Sequence, residues 1–462
     1  MAKRTTKPQV NGYRFLVRRL EHALVRRDVR MIQDPMSAQV KSLMVGAVFT
    51  VLIILVGLVM SFFKPQGSVG DAKILVSKTS GSLFAVVGDR VHPVLNLASA
   101  RLATGSAEVP KSVKESLLDK YPRGPLIGIP GAPWSLDAHG AGSDSNWAVC
   151  DKTSNPNNES SGITVSVIVG GIGAGQRLGS STAALVQVDG KAYLITNNTR
   201  AEVDTDSYAV VDALKLQGLK GRPVSRALLN AIPASRAIVA PTIADVGKPN
   251  RFSLPKSATI GSILESDAVT GKEMFALTKD GIEPITKLVA SMIQVRYRSS
   301  VVPVRPADLA GVPRVRTLSV ESYPKQAPRV IGNPVALCYD WTPAGIAVVS
   351  GADLPVPAGA KLMSVVAGKR TGAQADEVAL PPGKGWAVRT TGSTSDSKRA
   401  DSYFFISDTG VRYAVPDDQV ATLNLPEPQR APWAVVSLLP SGPMLSREAA
   451  LVTHNDIASG ER

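Results

Sequence analysis

The stretch Leu43–Phe63, LMVGAVFTVLIILVGLVMSFF, holds 21 residues without a charge, and only Thr50 and Ser61 carry polar side chains. At about 1.5 Å per residue a helix of that length spans roughly 30 Å, the thickness of a bilayer's hydrocarbon core. Lys41 and Lys64 bracket it and Pro65 closes it, so the charges sit at the two interfaces. The alternative is a buried core helix, but core helices of this length normally show a polar side. The expectation is therefore a membrane span running from Leu43 to Phe63.

The flanks give an orientation. Met1–Ser42 holds ten Lys and Arg against three acids (Glu21, Asp28 and Asp34), a net +7 and half of the chain's +14. By the positive-inside rule the N-terminus stays in the cytoplasm and everything after Phe63 crosses. A cleaved signal peptide fits poorly, because the leader is long, the apolar run exceeds a normal signal core and KPQGSVGDA lacks a convincing small-x-small cleavage site. The expectation is a retained signal anchor in a single-pass membrane protein whose C-terminal body lies on the far side of the membrane.

Bulk composition bounds that body. Hydrophobic content of 44% and charged content of 19% describe folded protein, and roughly 400 residues beyond the span can bury more than one core. Many Gly and Pro (39 and 33) with few aromatics suggest short elements joined by turns. A pI near 9.7 invites a nucleic-acid reading. The basic excess lies beside the membrane, however, where anionic lipid and neighbouring subunits account for it, so no nucleic-acid partner is expected. Both cysteines, Cys150 and Cys338, fall on the translocated side, where an oxidising compartment favours one disulfide over two unrelated buried thiols.

Before the span, Tyr13–Met31 places Tyr13, Leu16, Val17, Leu20, Ala23 and Leu24 on one helical face, with the arginines largely outside it. Such a basic amphipathic helix lies on a membrane surface or docks on a partner. After the span, a short apolar strand, a turn, a second strand and a helical stretch recur four times. The copies centre on Ser82–Val87 with His92–Leu102, Lys191–Thr196 with Ala209–Leu216, Glu273–Thr278 with Lys287–Ile293, and Ser402–Ser407 with Gln419–Leu425. Each ends on an apolar-Pro pair: Tyr121-Pro122, Ile232-Pro233, Val312-Pro313 and Leu439-Pro440. Two inserts separate the first copy from the second and the third from the fourth. They share a cysteine, a nearby tryptophan and a β-branched strand, in Trp147–Asp151 with Ile163–Val169 and in Ala336–Trp341 with Ile346–Gly351. The inserts are expected to build one central β-domain joined by Cys150–Cys338, with two repeats on either side. Ala138–Ser145, Asp151–Gly162 and Gly392–Asp401 read as linkers.

The fold class expected is thus α+β: one transmembrane helix, then four small α/β repeats around a central β-domain in a pseudo-twofold layout. Expected boundaries are 1–42 for the cytoplasmic segment, 43–63 for the span, 64–135 for repeat 1 and 136–182 for the first central part. Repeats 2 and 3 take 183–258 and 259–325, the second central part 326–385, repeat 4 386–451 and the tail 452–462.

No catalytic motif emerges. The chain has no GxxxxGK[ST] loop, and Gly170–Gly179 misses the dinucleotide pattern and reads as a turn. Its four histidines lie far apart, without metal-ligand spacing. Ser395-x-x-Lys398 matches an acylating-serine tetrad in letters only, inside a hydrophilic loop, and no GxSxG elbow occurs. Neither catalytic residues, nor a cofactor, nor a metal are expected.

The motifs YRFLVRR with RRDVRM, FKPQG, HPVLNLASARL, RGPLIGIPGAP, WAVCD, SRALLNAIP, GVRYAVP and APWAVVSLLPSGPMLSREAAL together resemble the EccB family of type VII (ESX) secretion systems, over about Tyr13 to Leu451. The resemblance implies a cytoplasmic N-terminal helix, one membrane pass, and a periplasmic body of four repeats around a centre with one disulfide. It implies assembly with the EccC motor ATPase, EccD and EccE, contact with the mycosin protease, and self-association through the periplasmic body. A structural role linking motor to periplasmic assembly is expected, with Tyr13, Arg14, Phe15, Leu16, Arg18 and Arg19 docking on cytosolic partners. Family members are often catalogued as ATPases, so ATP is the one cofactor the resemblance offers, without a nucleotide motif here. An ATP-hydrolysing subunit and a peptidoglycan-binding periplasmic module are the alternative readings.

Overall fold

The computed structural model describes residues 6–27, 29, 35–63, 70–142, 145–158, 160–268, 271–365 and 374–454. They form two compact units, residues 1–70 and 71–462. Lys64, Pro65 and the end of the tail from residue 455 lie outside the described residues.

In the first unit the basic helix spans Lys7–Arg26, six residues earlier than the Tyr13 start its apolar face indicated. The reason is a capping box: the Thr6 amide donates to Gln9 Oε1 at 3.0 Å, and Pro8 sits in the first turn, where its missing N–H costs nothing. The helix stops at Arg27, whose left-handed φ of 55° turns its amide back onto the Ala23 carbonyl. A second helix covers Pro35–Phe63 and contains the expected span Leu43–Phe63. Its most apolar part, Gln39–Met60, is 22 residues long and 0% buried, which removes the core-helix alternative. Thr50 Oγ1 donates to the Gly46 carbonyl at 2.9 Å, so the polar group inside the run is satisfied within its own helix.

Among the described residues the second unit is built from four similar sheets that share a four-stranded path, two of them with a fifth strand, and one seven-stranded sheet. In every repeat three strands run as an antiparallel meander, and a fourth returns after a helix or turn to lie parallel to the first, giving the order third–second–first–fourth. The first strands are Ile74–Ser77, Thr182–Val188, Ile263–Ala268 and Gly385–Thr391. The repeating unit is therefore one strand longer at each end than the strand–turn–strand–helix pattern in the sequence.

The recurring proline has a structural job. The residue after each of Tyr121, Ile232, Val312 and Leu439 offers its carbonyl to the third strand of its own repeat. Val91, Arg200, Ile282 and Arg412 donate their amides to Pro122, Pro233, Pro313 and Pro440 at 2.9, 2.9, 2.8 and 2.9 Å. The return bonds run from Gly124, Ser235, Val315 and Gly442 to the same four residues. Proline ends the short preceding helix while keeping the carbonyl that this bridge uses. Repeat 4 departs in one place. Its expected helix over Gln419–Leu425 is a single 3-10 turn at Asp417–Gln419, because Asn424 adopts a left-handed φ of 55° and Pro426 follows.

The central sheet joins the two inserts. Strand Trp147–Thr153 pairs antiparallel with Ala336–Thr342, and each pairs on its outer side with its own hairpin partner, Ile163–Val169 or Gly345–Gly351. Trp147 faces Trp341 and Cys150 faces Cys338 in this register, so a local twofold axis passes through the ladder. Strands Leu362–Ser364 and Glu377–Ala379 extend one edge and Gln176–Arg177 the other, which breaks the symmetry at the margins. Two expected boundaries shift. Ala138–His139, read as linker, adds a strand to the sheet of repeat 4, and Arg329–Val330 adds one to repeat 2. Asp151–Thr153, the start of another expected linker, completes a central strand.

Alternation decides what each face buries. Trp147, Val149, Leu337, Tyr339, Trp341 and Val348 point to one side, into a core shared with repeats 2 and 4. Ala148, Cys150, Ile168, Cys338, Ala347 and Val349 point to the other, under Ile172, Leu354, Val356 and Leu362. Repeats 2 and 3 share a further core, and so do repeats 1 and 4. The centre thus carries one pair of repeats on each side, with repeats 1 and 3 outermost.

Candidate functional site

The chemistry of the body concentrates at the middle of the central sheet. Cys150 and Cys338, both fully buried, form a disulfide between directly paired positions whose Cα atoms lie 4.0 Å apart. The two-thiol alternative is thereby excluded. One residue along, Asp151 is fully buried and holds repeat 2 in place. Its carboxylate accepts the Ser225 amide at 2.5 Å and the Ser225 hydroxyl at 2.7 Å. Ser225 is itself the N-cap of helix Arg226–Ala231, accepting the Leu228 amide at 3.0 Å.

Arg222 completes this knot. Its fully buried guanidinium donates to four carbonyls: Pro334 at 2.7 Å, Asp151 and Val335 at 2.8 Å each, and Pro223 at 3.1 Å. Three chain segments meet on one planar fork, which only arginine presents. Burial pushes the Asp151 carboxyl up to about 6 against the opposing pull of the Ser225 bonds and the Arg222 charge. Burial also lowers Arg222, while Asp151 counters that fall.

Repeats 2 and 4 repeat one more contact across the pseudo-axis. Arg200 Nε donates to the Ile232 carbonyl at 3.1 Å, and Arg412 Nε to the Leu439 carbonyl at 2.9 Å. Each arginine thus ties its third strand to the residue before the recurring proline of its own repeat. Arg412 also lies over the Phe404 and Trp433 rings, 5.8 and 5.3 Å from their centroids. These groups fasten elements together. Among the described residues no group of three or more His, Cys, Asp or Glu could hold a metal ion.

The docking residues expected from the sequence all lie on the Lys7–Arg26 helix. Tyr13, Phe15 and Leu16 are 71%, 55% and 57% exposed, and Arg14, Arg18 and Arg19 are exposed as well. Among the described residues none of those arginines forms an ion pair. An apolar stripe beside unpaired cations suits a partner that is apolar and acidic, or an anionic membrane surface. The Arg222–Asp151–Ser225 knot escaped sequence reasoning. Ser225 ahead of an apolar run was readable as a helix start, but nothing in spacing points to Arg222.

This combination defines a class: a repeat protein with one membrane-length helix, a short basic helix before it and a cross-linked, sheet-rich body after it. The chain matches the family model "Type VII secretion system ESX-1, transport TM domain B" over residues 2–459, and it belongs to that family. It is 36% identical to a Mycolicibacterium smegmatis protein named "ESX-3 secretion system ATPase EccB3", over 98% of this chain and 92% of that one. Its fold resembles a chain in the structure of an intact ESX-5 inner membrane complex, with a TM-score of 0.72 and 32% identity over 100% of this chain and 98% of the other. It also resembles the EccB3 dimer from the ESX-3 core complex, with a TM-score of 0.70 and 34% identity over 83% and 100% of the two chains.

Proposed function

We propose that this chain is a structural membrane component of a type VII secretion complex, coupling cytoplasmic and membrane subunits to a periplasmic assembly. The observation that carries the reading is the whole-length likeness to a chain within an intact ESX-5 inner membrane complex, together with a body whose buried polar groups serve to fasten elements. The Lys7–Arg26 helix lies in the cytoplasm by its charge, the Pro35–Phe63 helix crosses the inner membrane, and the body lies in the periplasm. A structural disulfide agrees with that compartment. Tyr13, Arg14, Phe15, Leu16, Arg18 and Arg19 dock on the cytosolic faces of EccC and EccD, and EccE and the mycosin protease complete the assembly. Self-association runs through the periplasmic body, a reading supported by the existence of an EccB3 dimer in the ESX-3 core complex.

The test is triple charge reversal, Arg14→Glu, Arg18→Glu and Arg19→Glu, in the tagged full chain. The exposed positions leave the fold intact, so the complex recovered from detergent-solubilised membranes should lose its EccC and EccD subunits. Full recovery of both would overturn the docking assignment.

A further inference from the structure

The two pairs of repeats differ at their seams, and the difference leaves a cavity. Where repeats 2 and 3 meet, helix Tyr208–Ala213 packs against helix Lys287–Tyr297. Where repeats 1 and 4 meet, helix Leu97–Thr104 packs instead on the single-turn helix Arg447–Ala450, and the segment of repeat 4 that matches Tyr208–Ala213 is the 3-10 turn at Asp417–Gln419, followed by the left-handed Asn424. A cavity of about 630 Å³ opens there between Leu97, Arg101, Trp134, Leu136, Asn424 and Leu425.

Arg101 makes this cavity more than a packing defect. The residue is only 9% exposed, its Nη1 donates to the Leu423 carbonyl at 2.7 Å, and its Nε is buried with no hydrogen-bond partner. Among the described residues no acid forms an ion pair with it, and burial alone lowers its pKa. The one carboxylate in the cavity wall, Asp137, lies 3.6 Å from Lys384 and is already matched. A cation removed from water without a counter-charge is destabilising unless an anion completes it. At the same rim Trp134 is 74% exposed, an uncommon state for the largest apolar side chain.

We propose that this seam between repeats 1 and 4 is a binding site for a carboxylate-bearing peptide segment. The carboxylate pairs with the Arg101 guanidinium inside the cavity, and the adjoining apolar side chain lies on the Trp134 ring. Arginine recognises a carboxylate in a planar fork, and an exposed tryptophan supplies apolar area at little entropic cost. The seam is sequence-distant, since Arg101 and Leu423 are 322 positions apart, so the site exists only when both ends of the body are assembled. The site does not depend on the docking assignment of the N-terminal helix.

The experiment uses the detergent-solubilised full chain and two probes, N-acetyl-Ala-Leu with a free C-terminal carboxylate and the same dipeptide as its C-terminal amide. Binding is read by saturation-transfer NMR and by titration calorimetry. The carboxylate probe should bind and the amide should bind at least about tenfold more weakly, the ratio expected for losing a charge-assisted pair. Arg101→Met keeps the apolar stem and should abolish the preference for the carboxylate, with a melting temperature equal to or above the parent's. Trp134→Ala should weaken the probe several-fold without shifting the melting temperature. Equal binding of the two probes, binding unaffected by Arg101→Met, or no binding of the carboxylate probe at 10 mM, on the order of the weakest specific affinities, would each overturn the proposal. A fall in melting temperature in Arg101→Met with binding retained would assign Arg101 to fastening the Leu423 turn instead.

Discussion

Removing the Cys150–Cys338 bond, by the double substitution Cys150→Ala and Cys338→Ala, tests how the body is held together. The two cysteines are 188 positions apart, and the loop they close contains all of repeats 2 and 3. In the chain-entropy model a loop of that length restricts the unfolded ensemble by about 5 kcal/mol. The side chains replaced are small and fully buried beside Ala148, Ala347 and Val349, so the cavity contribution adds only about 1 kcal/mol. The assay is guanidinium unfolding of residues 71–462, a compact unit with its own cores, followed by far-UV circular dichroism. With a slope on the order of 5 kcal/mol per molar for a chain this size, the midpoint should fall by roughly 1 M. The slope should rise as well, because the unlinked chain exposes more surface when unfolded. Repeats 1 and 4 lie outside the loop, so cleavage within residues 160–330 should leave their fragments joined without reductant and separable with it. A midpoint within about 0.2 M of the parent's would mean that the ladder alone holds the two halves and that the disulfide adds nothing.

Further outcomes follow from the Arg222–Asp151–Ser225 knot. Arg222→Ala leaves four buried carbonyls without their shared donor and the buried Asp151 carboxyl without the neighbouring positive charge, and should lower unfolding free energy by about 3–5 kcal/mol in the same assay. Asp151 titrates near 6 in the folded body against 3.8 in the unfolded chain, so the folded state holds the extra proton between those values. Its contribution to stability should therefore fall as pH rises from about 4 to about 6, by up to about 3 kcal/mol, and stay at the lower level above. Asp151→Asn should remove that part of the pH profile; parallel profiles for parent and variant would contradict it. Pro233→Ala, which keeps the carbonyl used by Arg200, should cost under about 1 kcal/mol, whereas Arg200→Ala should cost more, by thermal unfolding.

Much of this architecture was readable from residues because the informative features were periodic or repeated. Twenty-one uncharged residues marked the span, and four apolar-Pro pairs marked the ends of four units whose third strands use those carbonyls. The repeated Cys and Trp in two inserts identified the ladder in which Cys150 meets Cys338 and Trp147 meets Trp341. What stayed hidden lacked a period. The first strand of each repeat sits inside its sheet, and a run such as Thr182–Val188 is buried along nearly its whole length, so it shows little alternation. The fourth strands are short, two residues at Arg222–Pro223, and leave no pattern. Gln419–Leu425 carried helical spacing that local backbone chemistry overrode at Asn424 and Pro426. Arg222 and Arg101 gain their roles from segments more than 70 and 300 positions away, which no local window contains.

As a structural component of a type VII complex, this chain should work as one built-in part of a larger membrane machine. The most direct measurement is to purify the tagged full chain from its native membranes in mild detergent and identify the associated subunits by mass. The expected result is a single large particle in which this chain accompanies the motor ATPase and the other membrane subunits of a type VII system. Recovery of the intact chain alone, with no such subunits under conditions that preserve the particle for its relatives, would contradict it.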